Sequence, residues 1–250
     1  EYRDRIDISP SEVYKNLENE IPKTSLPSAK DTEEILNKLE EESYTHVICI
    51  SISSGLSGSY NALRLALEDH PNLTSFVYDT KILAYPQGEI VLEVAKLIRE
   101  GKNFNEIVSE IPNIRKRITG YFTLNTLEYL KKGGRITPAV AMLAGMLKIV
   151  PVMELNYDLG GKIDTLAKVR TLSKAKATVV NRMIDLGVTA KQYKVTIEHV
   201  LCEESALEVK QMILDKIGDI ELEVRELPAV VGAHMGVGGI GVQYIKKYVG

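Results

Sequence analysis

The 250-residue sequence has little cysteine, little net charge and no long apolar stretch. Its two cysteines, Cys49 and Cys202, lie in apolar runs, which predicts small core residues rather than a disulfide or metal pair and fits a reducing cytoplasm. A net charge of −3, with both signs intermixed, argues against a nucleic-acid partner. The uncharged stretch 136–147 is only 12 residues long, so no stable membrane insertion is expected.

The composition that remains, 44% hydrophobic and 26% charged residues, is typical of a folded protein with a large core. The predicted helices are 12–17, 31–42, 59–69, 87–99, 126–133, 138–147, 173–186 and 205–217, and the predicted strands are 47–51, 75–79, 119–124, 149–155, 162–167, 194–200 and 221–227, the last being the final strand. Strands and helices alternate first, and hairpins mix with helices later. We therefore predict an α/β fold of two domains, an N-terminal parallel-sheet α/β domain over 1–117 and a C-terminal mixed α/β domain over 118–250.

A hydroxyl-rich loop, 51–60, directly follows the apolar strand 47–50 and precedes a helix. Backbone N–H groups and serine hydroxyls at a helix N-terminus are suited to bind a carboxylate or phosphate without a cation. In open parallel sheets, ligands bind beyond the carboxyl ends of the strands, where this loop lies. Serine-glycine turns that only cap a helix are equally common, so the loop alone leaves both interpretations open.

Other chemistries find less support in the sequence. The segment 236–241 satisfies G-x-G-x-x-G, but only nine residues follow it, too few for a dinucleotide-binding unit, and the serine loop lacks the ending of a P-loop. No cluster has metal-ligand spacing, so neither a metal nor a cofactor is predicted. Ser57, Asp79 and His234 occur in the chain order of an α/β-hydrolase triad, which makes an acyl-ester or thioester hydrolase the alternative function. However, Ser59 replaces the last glycine of the nucleophile elbow.

Seven segments taken together carry a family resemblance. They are 24–28, 51–60, 78–81, 87–88, 127–136, 168–171 and 232–236. In this order, and spread over nearly the whole chain, they resemble the DegV family of bacterial fatty-acid-binding proteins. Gly236-Val237-Gly238 departs from the usual Gly-Pro-Gly of that family. The chain opens at Glu1, whereas members begin with a strand and an Asp-Ser-type loop, so we expect that one sheet strand is missing at the N-terminus.

The resemblance implies a lipid-binding carrier that is not an enzyme. It would bind a long-chain fatty acid and present it to a separate fatty acid kinase, which forms the acyl phosphate for phospholipid synthesis. The carboxylate-binding residues implied are Thr24, Ser25, Ser53, Ser54, Gly55 and His234, with Arg170 near the pocket mouth for handover to the kinase. Within the loop, we expect Ser53 and Ser54 to make the direct contacts and Ser57, Gly58 and Ser59 to cap the next helix.

Each of these assignments has a plainer alternative on the residues alone. Thr24 and Ser25 precede Pro27 and fit a simple turn, His234 fits a structural histidine, and Arg170 fits a surface cation. The acyl-pocket candidates Met142, Leu143 and Met146 fit an ordinary apolar core as well as a tunnel for a flexible acyl chain.

Overall fold

The computed structural model describes residues 1–143 and 149–247. In chain order its elements are α1 Pro10–Asn16, α2 Ala29–Glu41, β1 His46–Ser51, α3 Ser59–Ala66, a 3₁₀ turn Leu67–Asp69, β2 Thr74–Asp79, α4 Ala84–Arg99, α5 Phe104–Lys116, β3 Ile118–Thr123, α6 Glu128–Lys132, α7 Pro138–Ala141, β4 Val150–Asn156, β5 Lys162–Val169, α8 Leu172–Asp185, β6 Tyr193–His199, α9 Glu203–Ile217, β7 Glu221–Glu226, α10 Ala229–Met235 and β8 Ile240–Lys246. Within the described ranges, no helix has the length and apolar character needed to cross a membrane.

The chain forms two compact units. The parallel-sheet unit comprises Ser25–Lys116 and Asn156–Lys162, and the mixed-sheet unit comprises Glu1–Thr24, Arg117–Leu155 and Ile163–Gly250. The predicted two-domain α/β fold, with a parallel sheet followed by a mixed sheet, is confirmed.

Two segments pack away from their neighbours in sequence. Residues 1–24 join the mixed-sheet unit, where the buried Tyr14 donates its hydroxyl to the Leu227 carbonyl oxygen at 2.6 Å. Residues 156–162 join the parallel-sheet unit. The predicted domain bounds, 1–117 and 118–250, stay a prediction.

In the parallel-sheet unit, β1 and β2 pair in parallel with Ser51 opposite Asp79. The helix α3 connects them, and Leu36, Leu67 and Leu73 form a buried cluster beside the strands. Because parallel strands end at the same sheet edge, the residues that follow Ser51 and Asp79 are brought together there. This placement agrees with the position predicted for the hydroxyl-rich loop.

In the mixed-sheet unit, the strand order is β5-β4-β3-β8-β6-β7. The central strand β8 runs antiparallel to both β3 and β6, while β6 and β7 are parallel. Fully buried side chains from strands and helices, including Val180, Met183, Ile197 and Ile213, make one continuous core with the sheet. The helix α10, which carries His234, packs against α1 and α6.

The prediction that β7 is the final strand is wrong, because β8 follows it and occupies the middle of the sheet. Gly238, Gly239 and Gly241 lower the β propensity of the sequence around Ile240. The segment is nevertheless a strand because it forms backbone hydrogen bonds with a neighbouring strand on each side, β3 and β6. The helix α10, which directly precedes this glycine-rich segment, was not predicted either.

The helix α5 was also not predicted, although its signal is present. Ile107, Ile111 and Ile114 recur at helical spacing and are buried. Asn103 and Glu106 exchange hydrogen bonds between side chain and backbone, an N-terminal capping box. Pro112 inside the helix breaks the expected pattern. The first residues of the predicted helix 138–147 form α7, Pro138–Ala141. Residues 144–148 lie outside the described ranges.

Candidate ligand-binding site

The hydroxyl-rich loop is tied to the carboxyl ends of β1 and β2 by Asp79. This carboxylate accepts the Ser54 backbone N–H at 3.0 Å, the Ser54 hydroxyl at 2.5 Å and the Lys81 backbone N–H at 3.1 Å. A serine hydroxyl has a single proton to donate. The Ser54 proton is therefore engaged by Asp79, and a ligand carboxylate at this exposed serine competes with Asp79 for it.

Ser53 is fully buried and anchors the loop from the inside. Its hydroxyl donates to the Gly161 carbonyl oxygen at 2.8 Å and accepts the Gly55 N–H at 3.2 Å. Its own backbone N–H donates to the Ile82 carbonyl oxygen at 2.8 Å. These bonds give Ser53 a structural role, and its direct contact with a ligand stays a prediction.

Gly55 is needed where it stands because two backbones meet there. A β carbon at this position would lie 2.7 Å from the Gly160 carbonyl oxygen and 2.8 Å from that of Gly161, closer than real β carbons approach. Any side chain therefore displaces the loop or the turn that faces it. The ligand-binding role predicted for Gly55 stays a prediction beside this packing role.

Ser57 and Ser59 form a second hydroxyl pair at the start of α3. Their Oγ atoms are 2.8 Å apart, and Ser57 Oγ accepts the Ser59 backbone N–H at 3.2 Å. The helix N-cap is Gly58, which supplies no side-chain bond. Ser57 therefore caps the helix, because its hydroxyl oxygen accepts the backbone N–H of Ser59, the first residue of α3.

Thr24 and His234 are brought together in the mixed-sheet unit. The Thr24 Oγ1 and His234 Nε2 atoms are 2.9 Å apart, although the residues are 210 positions apart in the chain. His234 is the second-last residue of α10, and its ring lies against Gly133, where any β carbon would overlap Nδ1. The neighbouring Ser25 is exposed and forms no hydrogen bond with any residue that the structure describes.

His234 is held in its neutral form. Burial, with a smaller contribution from the Arg135 cation, lowers the pKa of His234 to about 4. A neutral imidazole has one donor and one acceptor nitrogen. Its buried Nδ1 has no hydrogen-bond partner among the described residues, so the polar interaction of this ring is made at Nε2 with Thr24.

Arg170 lies exposed at the end of β5, directly before Thr171, the N-cap of α8. The Thr171 Oγ1 accepts the Lys174 N–H at 3.2 Å. Within the described part of the chain, Arg170 has no ion pair or hydrogen bond. Its guanidinium is thus available to a partner, and the handover role stays a prediction.

The acyl-pocket candidates differ in their surroundings. Leu143 is buried, with 5% of its surface exposed, whereas Met142 is 75% exposed. Met146 lies outside the described residues. The pocket role of all three stays a prediction.

The hydrolase alternative gains no support from the partners of its three residues. Ser57 is paired with Ser59, the Asp79 carboxylate is occupied by Ser54, and His234 is paired with Thr24. In a triad, the base bonds to the nucleophile and the acid bonds to the base.

Two features of this region were not predicted from the sequence. The contact of the turn Tyr157–Gly161 with the serine loop has no local sequence signal, because the residues are about 100 positions apart. Asp79 is part of the segment 78–81 that carries the family resemblance, but it was given a role only in the hydrolase alternative. Its position at the end of β2 brings it to the sheet edge where the serine loop lies.

The observed arrangement defines an α/β protein of two units, with a hydroxyl loop at the carboxyl ends of parallel strands in one unit and a threonine–histidine pair in the other. The family model described as "Uncharacterised protein, DegV family" matches residues 1–247. The chain belongs to the DegV family.

Individual relatives are similar over nearly all of the chain. A DegV domain-containing protein of Clostridium perfringens is 39% identical, over 99% of this chain and 87% of its own length. The crystal structure of a fatty acid binding DegV family protein from Streptococcus agalactiae matches with a TM-score of 0.89 and 31% identity, over 98% of this chain and 86% of that chain. A stearic acid-binding protein from Eubacterium ventriosum matches with a TM-score of 0.84 and 26% identity, over 99% and 87%.

Proposed function

We propose that this protein binds a long-chain fatty acid and carries it without chemical change. The observation that supports this most strongly is the likeness, over 98% of the chain at a TM-score of 0.89, to a structure described as fatty acid binding. The Thr24 and Ser25 hydroxyls suit the same ligand because they are neutral donors for a carboxylate, and the exposed Ser54 hydroxyl becomes one when the ligand replaces Asp79 as its acceptor.

The head group is bound, in this proposal, by Thr24, Ser25, Ser53, Ser54, Gly55 and His234. Since His234 is neutral near pH 7, it contributes a hydrogen bond rather than a charge. We assign the donor proton to Nε2, which then donates to Thr24 Oγ1 and leaves the Thr24 hydroxyl proton for the ligand. Neutral donors are sufficient if they offset the cost of desolvating the carboxylate and fix its orientation.

The acyl tail provides most of the affinity. Burying about 14 methylene groups at about 0.8 kcal/mol each gives roughly 11 kcal/mol before the cost of association. Leu143 offers a buried apolar surface for it, and the flexible Met142 and Met146 side chains are able to adapt to an acyl chain.

The bound acid is then presented to a fatty acid kinase, which forms the acyl phosphate used in phospholipid synthesis. Arg170 supports this step because its exposed guanidinium is a planar cation that fits phosphate oxygens or a partner's acidic side chains. A cytoplasmic location fits this role.

Mass spectrometry of a lipid extract from the purified full chain tests the carrier proposal. We expect intact fatty acid in a one-to-one ratio with protein. A protein that contains no fatty acid and cleaves acyl esters or thioesters at a rate that Ser57→Ala abolishes would contradict the proposal and favour the hydrolase.

A further inference from the structure

The turn Tyr157–Gly161 connects β4 and β5 and contains none of the residues assigned to the site. Hydrogen bonds fix its backbone. The Asn156 Oδ1 atom accepts the backbone N–H groups of Asp158 at 3.0 Å and Leu159 at 3.2 Å. The Gly161 N–H donates to the Asn156 carbonyl oxygen at 2.8 Å. Such side-chain-to-backbone bonds are those of an Asx turn, which fixes the local backbone.

This turn packs closely against the serine loop. The Gly161 carbonyl oxygen accepts the buried Ser53 hydroxyl at 2.8 Å. A β carbon on Gly161 would overlap Ser53 Oγ and lie 2.7 Å from Lys81 Cα, and one on Gly55 would strike the turn from the opposite side. The position of the loop is therefore set by how closely the turn approaches.

A second connection runs through Tyr157. The Lys81 Nζ atom lies 3.9 Å from the centre of the Tyr157 ring and 3.3 Å from its carbonyl oxygen. The backbone N–H of Lys81 donates to Asp79, which also holds the hydroxyl and the N–H of Ser54. Tyr157 is thus linked, through Lys81 and Asp79, to the exposed serine of the loop.

We propose that the turn Tyr157–Gly161 is a positioning element for carboxylate recognition. Gly161 fixes the position of Ser53, and Tyr157 fixes the position of Ser54 through Lys81 and Asp79. This inference rests on the proposed fatty acid binding. The turn residues act through the loop and not by contact with the ligand. Their role therefore concerns the head group of the ligand and leaves the contribution of the acyl tail unchanged.

Gly161 and Gly160 provide a matched pair of variants. Both have a φ of +73°, so alanine introduces the same backbone strain at each. Only at Gly161 does the new β carbon meet Ser53 and Lys81, since at Gly160 nothing lies within 4 Å. Comparing Gly161→Ala with Gly160→Ala therefore isolates the contact with the loop from the strain of the turn.

The measurement is the ratio of affinities for stearic acid and methyl stearate, which share a tail and differ in the head group. Calorimetric titration of the delipidated full chain should show that the wild type prefers the acid. In Gly161→Ala we expect this preference to fall about tenfold or more, the effect of losing one hydrogen bond between the displaced loop and the carboxylate, while Gly160→Ala stays within about twofold of wild type.

Three further variants keep the test decisive if Gly161→Ala folds poorly. Tyr157→Ala should also reduce the preference for the acid, whereas Leu159→Ala on the same turn should not; these side chains are similarly exposed, at 49% and 51%. Leu36→Ala, in the buried cluster of the same unit, lowers the melting temperature without touching the loop and should leave the acid-to-ester ratio unchanged.

The outcomes separate this inference from the proposed function. A wild type that binds neither compound contradicts fatty acid binding itself. A wild type that prefers the acid, with the same preference in both glycine variants and in Tyr157→Ala, overturns the positioning role and leaves fatty acid binding intact. An equal loss of the preference in Leu36→Ala also overturns the role, because a general loss of stability would then explain the result.

Discussion

The neutral state of His234 predicts how the stability of the protein depends on pH. The pKa of His234 is lowered from 6.5 to about 4, first by burial and then by the charge of Arg135. Below pH 6.5 the unfolded chain gains a proton that the folded protein does not, so His234 destabilises the fold as the pH falls from 6.5 towards 4. Above pH 6.5 both states are neutral and there is no penalty.

The size of this effect follows from the pKa difference. One pKa unit corresponds to about 1.4 kcal/mol, so the full penalty is about 3 kcal/mol and the penalty at pH 5 is about 2 kcal/mol. The variant His234→Gln retains a hydrogen-bonding side chain but has no proton to gain. It should therefore lose about 2 kcal/mol less stability than the wild type between pH 8 and pH 5, since the other titrating groups are shared.

Urea denaturation of both proteins at pH 8 and pH 5 measures this difference. The free energy of unfolding is taken from the transition in which the mixed-sheet unit unfolds. A titration of the His234 ring by NMR measures the pKa directly. If the two proteins lose equal stability, or if the ring titrates at or above pH 6.5, the fold does not suppress protonation of His234, which would contradict this prediction.

Three further predictions concern the site and the parallel-sheet unit. The double variant Thr24→Ala with Ser54→Ala should bind fatty acid more weakly by about 1 to 3 kcal/mol for each lost donor, and an unchanged affinity in a direct titration would remove both residues from the site. Arg170→Ala should retain fatty acid but support much slower kinase-dependent acyl phosphate formation; a proportional loss of both would make it a pocket residue, and no change a surface residue. The pKa of the buried His70 is raised by its hydrogen bond to Glu40 at 2.8 Å, so the stability it contributes is fully present below pH 6.5 and is lost as the pH rises through the raised pKa. In urea denaturation, the stability difference between wild type and His70→Gln should therefore shrink as the pH rises, and a constant difference would speak against the charged pair.

Local patterns were enough to predict the two strands of the parallel sheet. The run Val47-Ile48-Cys49-Ile50 predicts β1, and the serine-glycine loop that follows it lies where strand order requires. The strand β8 shows the limit of local patterns, because its glycines lower the β propensity and only pairing with β3 and β6 makes it a strand. The helix α5 was missed although its isoleucine spacing was visible, since Pro112 contradicts a helix interior.

The candidate site depended on contacts that no local pattern encodes. The approach of Thr24 to His234 joins residues 210 positions apart and was expected only from the family resemblance. The commitment of the Ser53 and Ser54 protons to Gly161 and Asp79 was not predicted, because a sequence shows which donors exist and not which acceptors they already satisfy.

The most direct test of the central claim is a calorimetric titration of the delipidated full chain with stearic acid at pH 7.5. We expect one saturable site per chain. With an association cost of about 4 kcal/mol, the roughly 11 kcal/mol from the tail leaves about 7 kcal/mol, which corresponds to a dissociation constant of about 10 μM. Absence of saturable heat under these conditions, with the protein folded, would contradict the claim that this chain is a fatty acid carrier.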